Sequence, residues 1–318
     1  MGVINRRGMP VKIKTISTLL LVAVGALALP GAAQQGQKEN PANYPSAKTS
    51  GATGMANMPE RLKVLRAAAD ALGMIRWSDI GAGSTILPGI DAINTIEWFG
   101  SGTVENGGQQ FTADYHIALA YNPPAMRVEI TRTSPDAANG AIPKHTIQVV
   151  REKYAWDESE LGGGLVSGKG TATPEMSEAK ARFLRLWILP YGVVKAGVAA
   201  GDKTRISSEN GATVITFPLS GQLAGVTVKA TLDANNYITK VETHSDNPAL
   251  GMEASYSDYK DHGDIPTDVK SPGRMVQKQN GRTVLDIQMK MVDANNPYLV
   301  FPVPPSVKSA GEKTSASN

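Results

Sequence analysis

The stretch of sequence that decides the fold is residues 285–291, LDIQMKM. Its odd positions are apolar and its even positions are polar, which is the period of a strand buried on one face only. The same alternation runs through residues 226–232 (VTVKATL) and 252–257 (MEASYS). Successive strands with one apolar face and one polar face predict an antiparallel sheet that faces water on one side.

Turn signals and further strand candidates extend this sheet toward the N-terminus. Asn210-Gly211 is a strong hairpin signal ahead of the alternating segments. Residues 93–104, 126–133 and 145–156 each predict one more strand, because they are rich in apolar residues that suit a half-buried sheet.

Two stretches have helical rather than strand patterns. In the first, Asn57 is a capping residue, Pro59 lies near the first turn, and Gly73 ends the helix. In the second, about residues 177–200, Pro190 removes a backbone donor, so we expect two helices or one helix with a kink. These helices are expected to cover the apolar face of the sheet, which predicts an α+β fold.

The N-terminus has the three parts of a cleavable bacterial secretory signal. A basic segment precedes the apolar run Leu19–Leu29, and the small residues after it place the cleavage site after Ala33. The run is shorter than the roughly 20 residues that span a bilayer, although an uncleaved anchor and twin-arginine export stay alternatives. We therefore expect a periplasmic or secreted protein. The basic residues of the signal are Arg6, Arg7, Lys12 and Lys14.

Between two polar segments, the sequence predicts a single folded domain. Residues 34–56 are rich in Gln, Ala, Ser, Gly, Asn and Pro, and we expect them to form a disordered leader. Residues 306–318 are predicted to be a short disordered tail, which leaves residues 57–305 for the domain. Once the signal is removed, we expect no stable membrane insertion.

Charge and cysteine content exclude several classes of function. The formal net charge is +3, but residues 1–33 hold four basic and no acidic side chains. The remaining chain has 28 basic and 29 acidic residues and a net charge of −1, so a basic field for nucleic acid is missing. The lack of cysteine excludes disulfides, a lipobox anchor, thiolate metal sites and covalently attached c-type haem.

No pattern in the sequence identifies catalytic chemistry. Residues 163–169 (GGLVSGK) begin like a phosphate-binding loop, but Gly170 follows where Ser or Thr would hold magnesium. The histidines are not at metal-binding spacings, and the aspartates near residue 262 lack the order of calcium ligands. We therefore predict no catalytic residue, no metal and no cofactor. The four histidines are His116, His145, His244 and His262.

Large apolar side chains are the more informative signal. Methionine suits surfaces that accept varied ligands, and tryptophan adds large apolar area. In a strongly curved sheet plugged by a helix, such residues line a cavity, whereas in a flat sheet they fill the core. The candidate cavity residues are Trp98, Trp156, Leu184, Trp187, Ile188, Tyr191, Met252, Met275, Met289 and Met291.

Several short segments spread over residues 60–305 resemble one known domain. They are residues 97–102 (EWFGSG), 154–156 (YAW), 186–192 (LWILPYG), 241–259, 275–279 (MVQKQ) and 284–286. The domain that they resemble precedes the catalytic module in some exported metallo-β-lactamase-fold hydrolases. The resemblance implies a LolA-like fold, which is a curved antiparallel sheet, or incomplete barrel, covered by a few helices over an apolar cavity. The H-x-H-x-D-H zinc motif of the hydrolase module is missing here, so no metal chemistry is transferred.

Two hypotheses of function follow. In the first, the chain is an exported non-catalytic module that binds an apolar ligand such as a lipid or an acyl chain. In the second, it is a protein-interaction or scaffold domain that partners an envelope protein or a secreted hydrolase. An enzyme with an unrecognised site is the third and weakest alternative.

Overall fold

The computed structural model describes residues 58–75, 87, 89–133, 144–263 and 268–316. The predicted signal peptide, the predicted leader and the capping residue Asn57 lie outside these ranges. None of the helices within them combines the length and the apolar composition that crossing a bilayer requires.

The described residues form one antiparallel sheet of thirteen strands with the order β6-β5-β4-β3-β2-β1-β13-β12-β11-β10-β9-β8-β7. The sheet is curved but does not close into a barrel, so β6 and β7 are its two edges. The strands are β1 Thr95–Asn106, β2 Gln109–Tyr121, β3 Pro124–Thr133, β4 Lys144–Arg151, β5 Tyr154–Glu158, β6 Ala172–Pro174, β7 Arg205–Glu209, β8 Ala212–Pro218, β9 Thr227–Leu232, β10 Ile238–His244, β11 Met252–Ser257, β12 Arg274–Gln279 and β13 Arg282–Ala294.

Four α-helices accompany the sheet in the described ranges: α1 Glu60–Ala71, α2 Ala179–Ile188, α3 Pro190–Ala199 and α4 Pro305–Ala316. Nearly all of α3 is buried, and α1 packs on it so closely that a Cβ at Gly197 would lie 2.9 Å from Leu65. Helix α3 therefore packs between α1 and strand β8, since Phe217 would lie 3.5 Å from the same Cβ. The predicted α+β fold with a curved antiparallel sheet and a few helices is confirmed.

The predicted break in the second helical stretch is also observed. Leu189 has extended backbone angles (φ −66°, ψ 149°) and separates α2 from α3, while Pro190 begins α3. A residue that precedes proline is driven out of the helical region because the proline ring collides with its backbone. The chain turns at Leu189 for this reason, and two helices form instead of one.

Two of the predicted strands differ from the observed ones. Residues 145–156 form the β4–β5 hairpin instead of one strand, because Glu152 at the turn takes a positive φ of 50°. Between β1 and β13, Phe99 pairs with Met291 and the next residue, Gly100, pairs with Met289. Lys290 of β13 is therefore an extra residue without a partner in β1. Because of this bulge, the residues of β13 that face the main core shift from odd-numbered to even-numbered positions. As a result Val292 is buried in the main core, while Met291 is half-buried on the other face.

The outer face of the sheet, opposite α3, carries a second apolar cluster under the C-terminal segment. Trp156 of β5 and Ile147 of β4 pack there with Phe301 and with Val307 of α4. The predicted disordered tail, residues 306–318, falls on this segment, in which α4 extends to Ala316. Although the segment is mostly polar, the side chain of Val307 is fully buried and packs α4 against the sheet.

Candidate ligand-binding cavity

A cavity of about 840 Å³ lies beside the β4–β5 hairpin and is called here the hairpin cavity. Helices α2 and α3 form one wall, and the loop between β8 and β9 faces them. Its volume falls within the roughly 300–1,000 Å³ range of small-molecule sites. The residues that line it are Pro124, Glu152, Lys153, Tyr154, Phe183, Trp187, Ala196, Ala199, Ala200, Lys203 and those from Pro218 to Leu223.

The wall of the hairpin cavity is mainly apolar. Phe183 and Trp187 lie one helical turn apart on α2, and their rings meet edge to face with centroids 6.0 Å apart. Alanines at positions 196, 199 and 200 face the cavity where larger side chains would fill it. Large aromatic rings on one helix and small side chains on the next thus leave an apolar space between them.

A hydrogen bond joins two of the loops that line the hairpin cavity. The side-chain amide of Gln222 donates to the carbonyl of Glu152 at 2.7 Å. Gln222 belongs to the β8–β9 loop near one edge of the sheet, and Glu152 belongs to the β4–β5 turn near the other. Loops, rather than paired strands, therefore join the two halves of the open sheet at this point.

The rim of the hairpin cavity is polar. Glu152, Lys153, Lys203 and Ser220 are exposed there. The ammonium of Lys153 lies 5.3 Å from the centroid of the Tyr154 ring, which a Cβ at Gly311 of α4 would approach to 2.7 Å. Lys203 ends the short 3₁₀ helix that follows α3. An apolar interior with a charged rim suits a ligand that has both kinds of surface.

The structure brings few of the predicted cavity residues to this space. Trp187 lines the hairpin cavity, whereas Trp156 lies on the outer face and Met291 is half-buried. The hydroxyl of Tyr191 donates to the carbonyl of Lys270 at 2.6 Å, which fixes α3 against the chain after β11. The other predicted residues are packed in the main core: Trp98, Leu184, Ile188, Tyr191, Met252, Met275 and Met289.

A second feature is an exposed apolar patch on the outer face. A recess of about 240 Å³ lies between Trp156, the loop after β5 and the C-terminal segment. The exposed large apolar side chains of the described ranges all lie on this loop or this segment, and four of the five line the recess. They are Leu161 (61% exposed), Leu165 (36%), Val166 (57%), Tyr298 (86%) and Val300 (68%). This set is called the outer patch.

A polar cluster on the outer face joins four strands. The Nε2 atom of His116 lies 3.1 Å from Glu97, and its Nδ1 atom lies 3.2 Å from Glu129. The hydrogen bond from His116 holds the pKa of Glu129 below its usual value, against the opposing effect of burial. His145 Nε2 is 3.7 Å from Glu129. In the described part of the chain, no three such side chains are arranged to hold a metal ion.

Comparisons with known proteins add little to this geometry. No model of a known protein family matches the chain. No curated protein matches it either. Among solved structures, it is similar to a DUF1329 family protein from Desulfovibrio piger, with 10% identity and a TM-score of 0.41 over 73% of this chain and 95% of that one. A likeness of this size carries no argument about function, and the resemblance to the domain of metallo-β-lactamase-fold hydrolases stays a prediction.

Proposed function

We propose that this chain is an exported, non-catalytic module that holds an apolar ligand, such as a lipid or an acyl chain, in the hairpin cavity. The observation that carries the proposal is the apolar cavity of about 840 Å³ between α2, α3 and the β8–β9 loop. Burial of a chain against Trp187, Phe183 and Leu223 would be favoured by about 25 cal/mol for each Å² of apolar surface removed from water.

The export part of the proposal rests on residues 1–33 alone. It is checked by the N-terminal residue of the protein recovered from its host. Cleavage after Ala33 makes that residue Gln34. Recovery from the cytoplasm with residues 1–33 in place would overturn it, and the ligand proposal would then be judged on its own.

Filling the hairpin cavity is expected to weaken ligand binding strongly without unfolding the protein. Ala199 lines the cavity and is exposed, so an indole in Ala199→Trp has room to point into the space. We expect binding of the fluorescent apolar probe N-phenyl-1-naphthylamine to weaken by about tenfold or more. Titration of the full chain measures this, and thermal unfolding verifies that the fold is kept.

The matched control is Ala249→Trp, because Ala249 is also exposed and lies before β11, away from the cavity-lining residues. It should bind the probe as the wild type does. The proposal fails if the wild type takes up no probe, or if both tryptophan variants bind it with unchanged affinity.

The outer patch supports a second candidate function, docking on a partner protein. Exposed apolar groups gathered in one place mark interaction sites, because scattered ones are the norm on a protein surface. The double variant Leu161→Ser/Val166→Ser is expected to lose a partner that chemical crosslinking captures on the wild-type chain in its host. The matched variant Leu219→Ser, in the hairpin cavity, should keep that partner. Equal capture by all three chains contradicts docking at the outer patch.

A further inference from the structure

We propose that the ligand of the hairpin cavity is an anionic amphiphile, with its apolar chain inside and its carboxylate or phosphate headgroup at Lys153 and Lys203. This inference rests on the proposed function and adds the chemical class of the ligand. It starts from the charges on the rim, which has two lysines and one carboxylate, that of Glu152.

The two lysines are free to meet a headgroup. Neither forms an ion pair within the described residues, and both are exposed. Three lysines, on β9, β10 and β12, behave differently, since each of these three lies within 3.1 Å of a glutamate. These pairs are Lys229 with Glu209, Lys240 with Glu242 and Lys278 with Glu253. Within the described residues, no ion pair therefore neutralises the charge of Lys153 or Lys203.

The backbone around Lys153 is held in place at the mouth. The carbonyl of Glu152 accepts from Gln222, and the amide of Glu152 donates to the carbonyl of Pro124 at 3.1 Å. Pro124 also lines the hairpin cavity. This turn is therefore fixed, and its lysine is one of the residues that line the cavity.

The polarity of the wall sets the orientation of the ligand. The side chains of α2 and α3 that line the cavity are apolar, and burial of a charged headgroup among them would be costly. The headgroup must therefore stay at the rim, where Lys153, Lys203 and the hydroxyl of Ser220 can donate to it. An anion gains Coulomb energy there, a neutral headgroup gains none, and a cation is repelled.

The experiment compares probes that share one chain and differ in the headgroup. Tetradecanoate, tetradecyl phosphate and tetradecan-1-ol each displace N-phenyl-1-naphthylamine from the full chain at low ionic strength. We expect the double variant Lys153→Gln/Lys203→Gln to bind the two anions about fivefold more weakly and the alcohol with unchanged affinity. The ratio of the two anion affinities tells carboxylate from phosphate.

Two further variants sharpen the test. Glu152→Gln removes the one acidic side chain of the rim and is expected to tighten anion binding by about twofold, opposite in sign to the lysine variant. Lys144→Gln, at the far end of β4 from the cavity, is the matched control and should change nothing. Because the lysines are exposed, about 0.5 M salt should erase these differences.

The outcomes separate this inference from the proposed function. If the wild type binds the alcohol as tightly as the anions, or if the lysine variant weakens all three probes equally, the headgroup proposal is wrong while the apolar cavity stands. If no probe binds the wild type, the proposed function fails and the headgroup proposal fails with it.

Discussion

Replacement of Gly102 by alanine is expected to lower the free energy of unfolding by about 3 kcal/mol, although only one methyl group is added. A Cβ at Gly102 would lie 2.0 Å from the carbonyl oxygen of Asp286 and 3.0 Å from the Cα of Ile287. Both are backbone atoms of β13, so a change of side-chain conformation cannot relieve the overlap. Strands β1 and β13 would have to separate in the middle of the sheet, next to the bulge at Lys290.

Gly251→Ala is the matched control for this prediction. Gly251 has a φ of −81°, and the nearest atom to a Cβ there is the carbonyl oxygen of Pro248 at 3.4 Å, an ordinary contact. We expect a change within about 0.5 kcal/mol. Urea denaturation of both variants gives the comparison, and equal stability of the two would show that β1 and β13 do not approach this closely.

Val307→Asp is expected to cost about 3 kcal/mol or to undock α4 altogether. Val307 is fully buried against the outer face, so an aspartate there would place a charge in an apolar cluster without a partner. Undocking of α4 would also expose Trp156, which is buried under the same segment. Thermal unfolding measures the loss of stability, and the tryptophan emission maximum reports the exposure through a shift to longer wavelength.

The same substitution at Val300 tests the specificity of this result. Val300 is 68% exposed, so Val300→Asp should leave both the melting temperature and the tryptophan emission near their wild-type values. If Val307→Asp behaves like Val300→Asp, residues 306–316 are not docked and the tail is disordered, as its polar composition alone suggested.

The strands could be predicted wherever alternation is local and uninterrupted. Residues 226–232 and 252–257 show this, and both form strands of the observed sheet. Residues 145–156 could not be divided correctly, because Glu152-Lys153 has none of the usual turn residues and the turn depends on a positive φ at Glu152. Strand β2 was not predicted, although Gly107-Gly108 between it and β1 is a usual hairpin turn in which both residues have a positive φ.

The candidate site was harder to predict than the sheet. Of the ten apolar residues chosen from the sequence, Trp187 lines the hairpin cavity. A tryptophan or methionine has the same signature whether it fills a core or lines a space. The cavity itself depends on alanines and on the turn residues of two loops, which carry no pattern. The cluster of His116 with Glu97 and Glu129 could not be predicted from the sequence either, because the register of three strands brings these side chains together.

The sequence by itself determined the class of fold: alternation specifies strands with one buried face, and Pro190 specifies a break between two helices. These properties depend on neighbours along the chain, so they can be read locally. The tertiary structure alone decided which apolar residues pack solid and which leave space, where residues 306–316 dock, and where Lys153 and Lys203 lie on a shared rim. Those properties depend on contacts between residues far apart in sequence, and their energies are set by distance and burial in three dimensions.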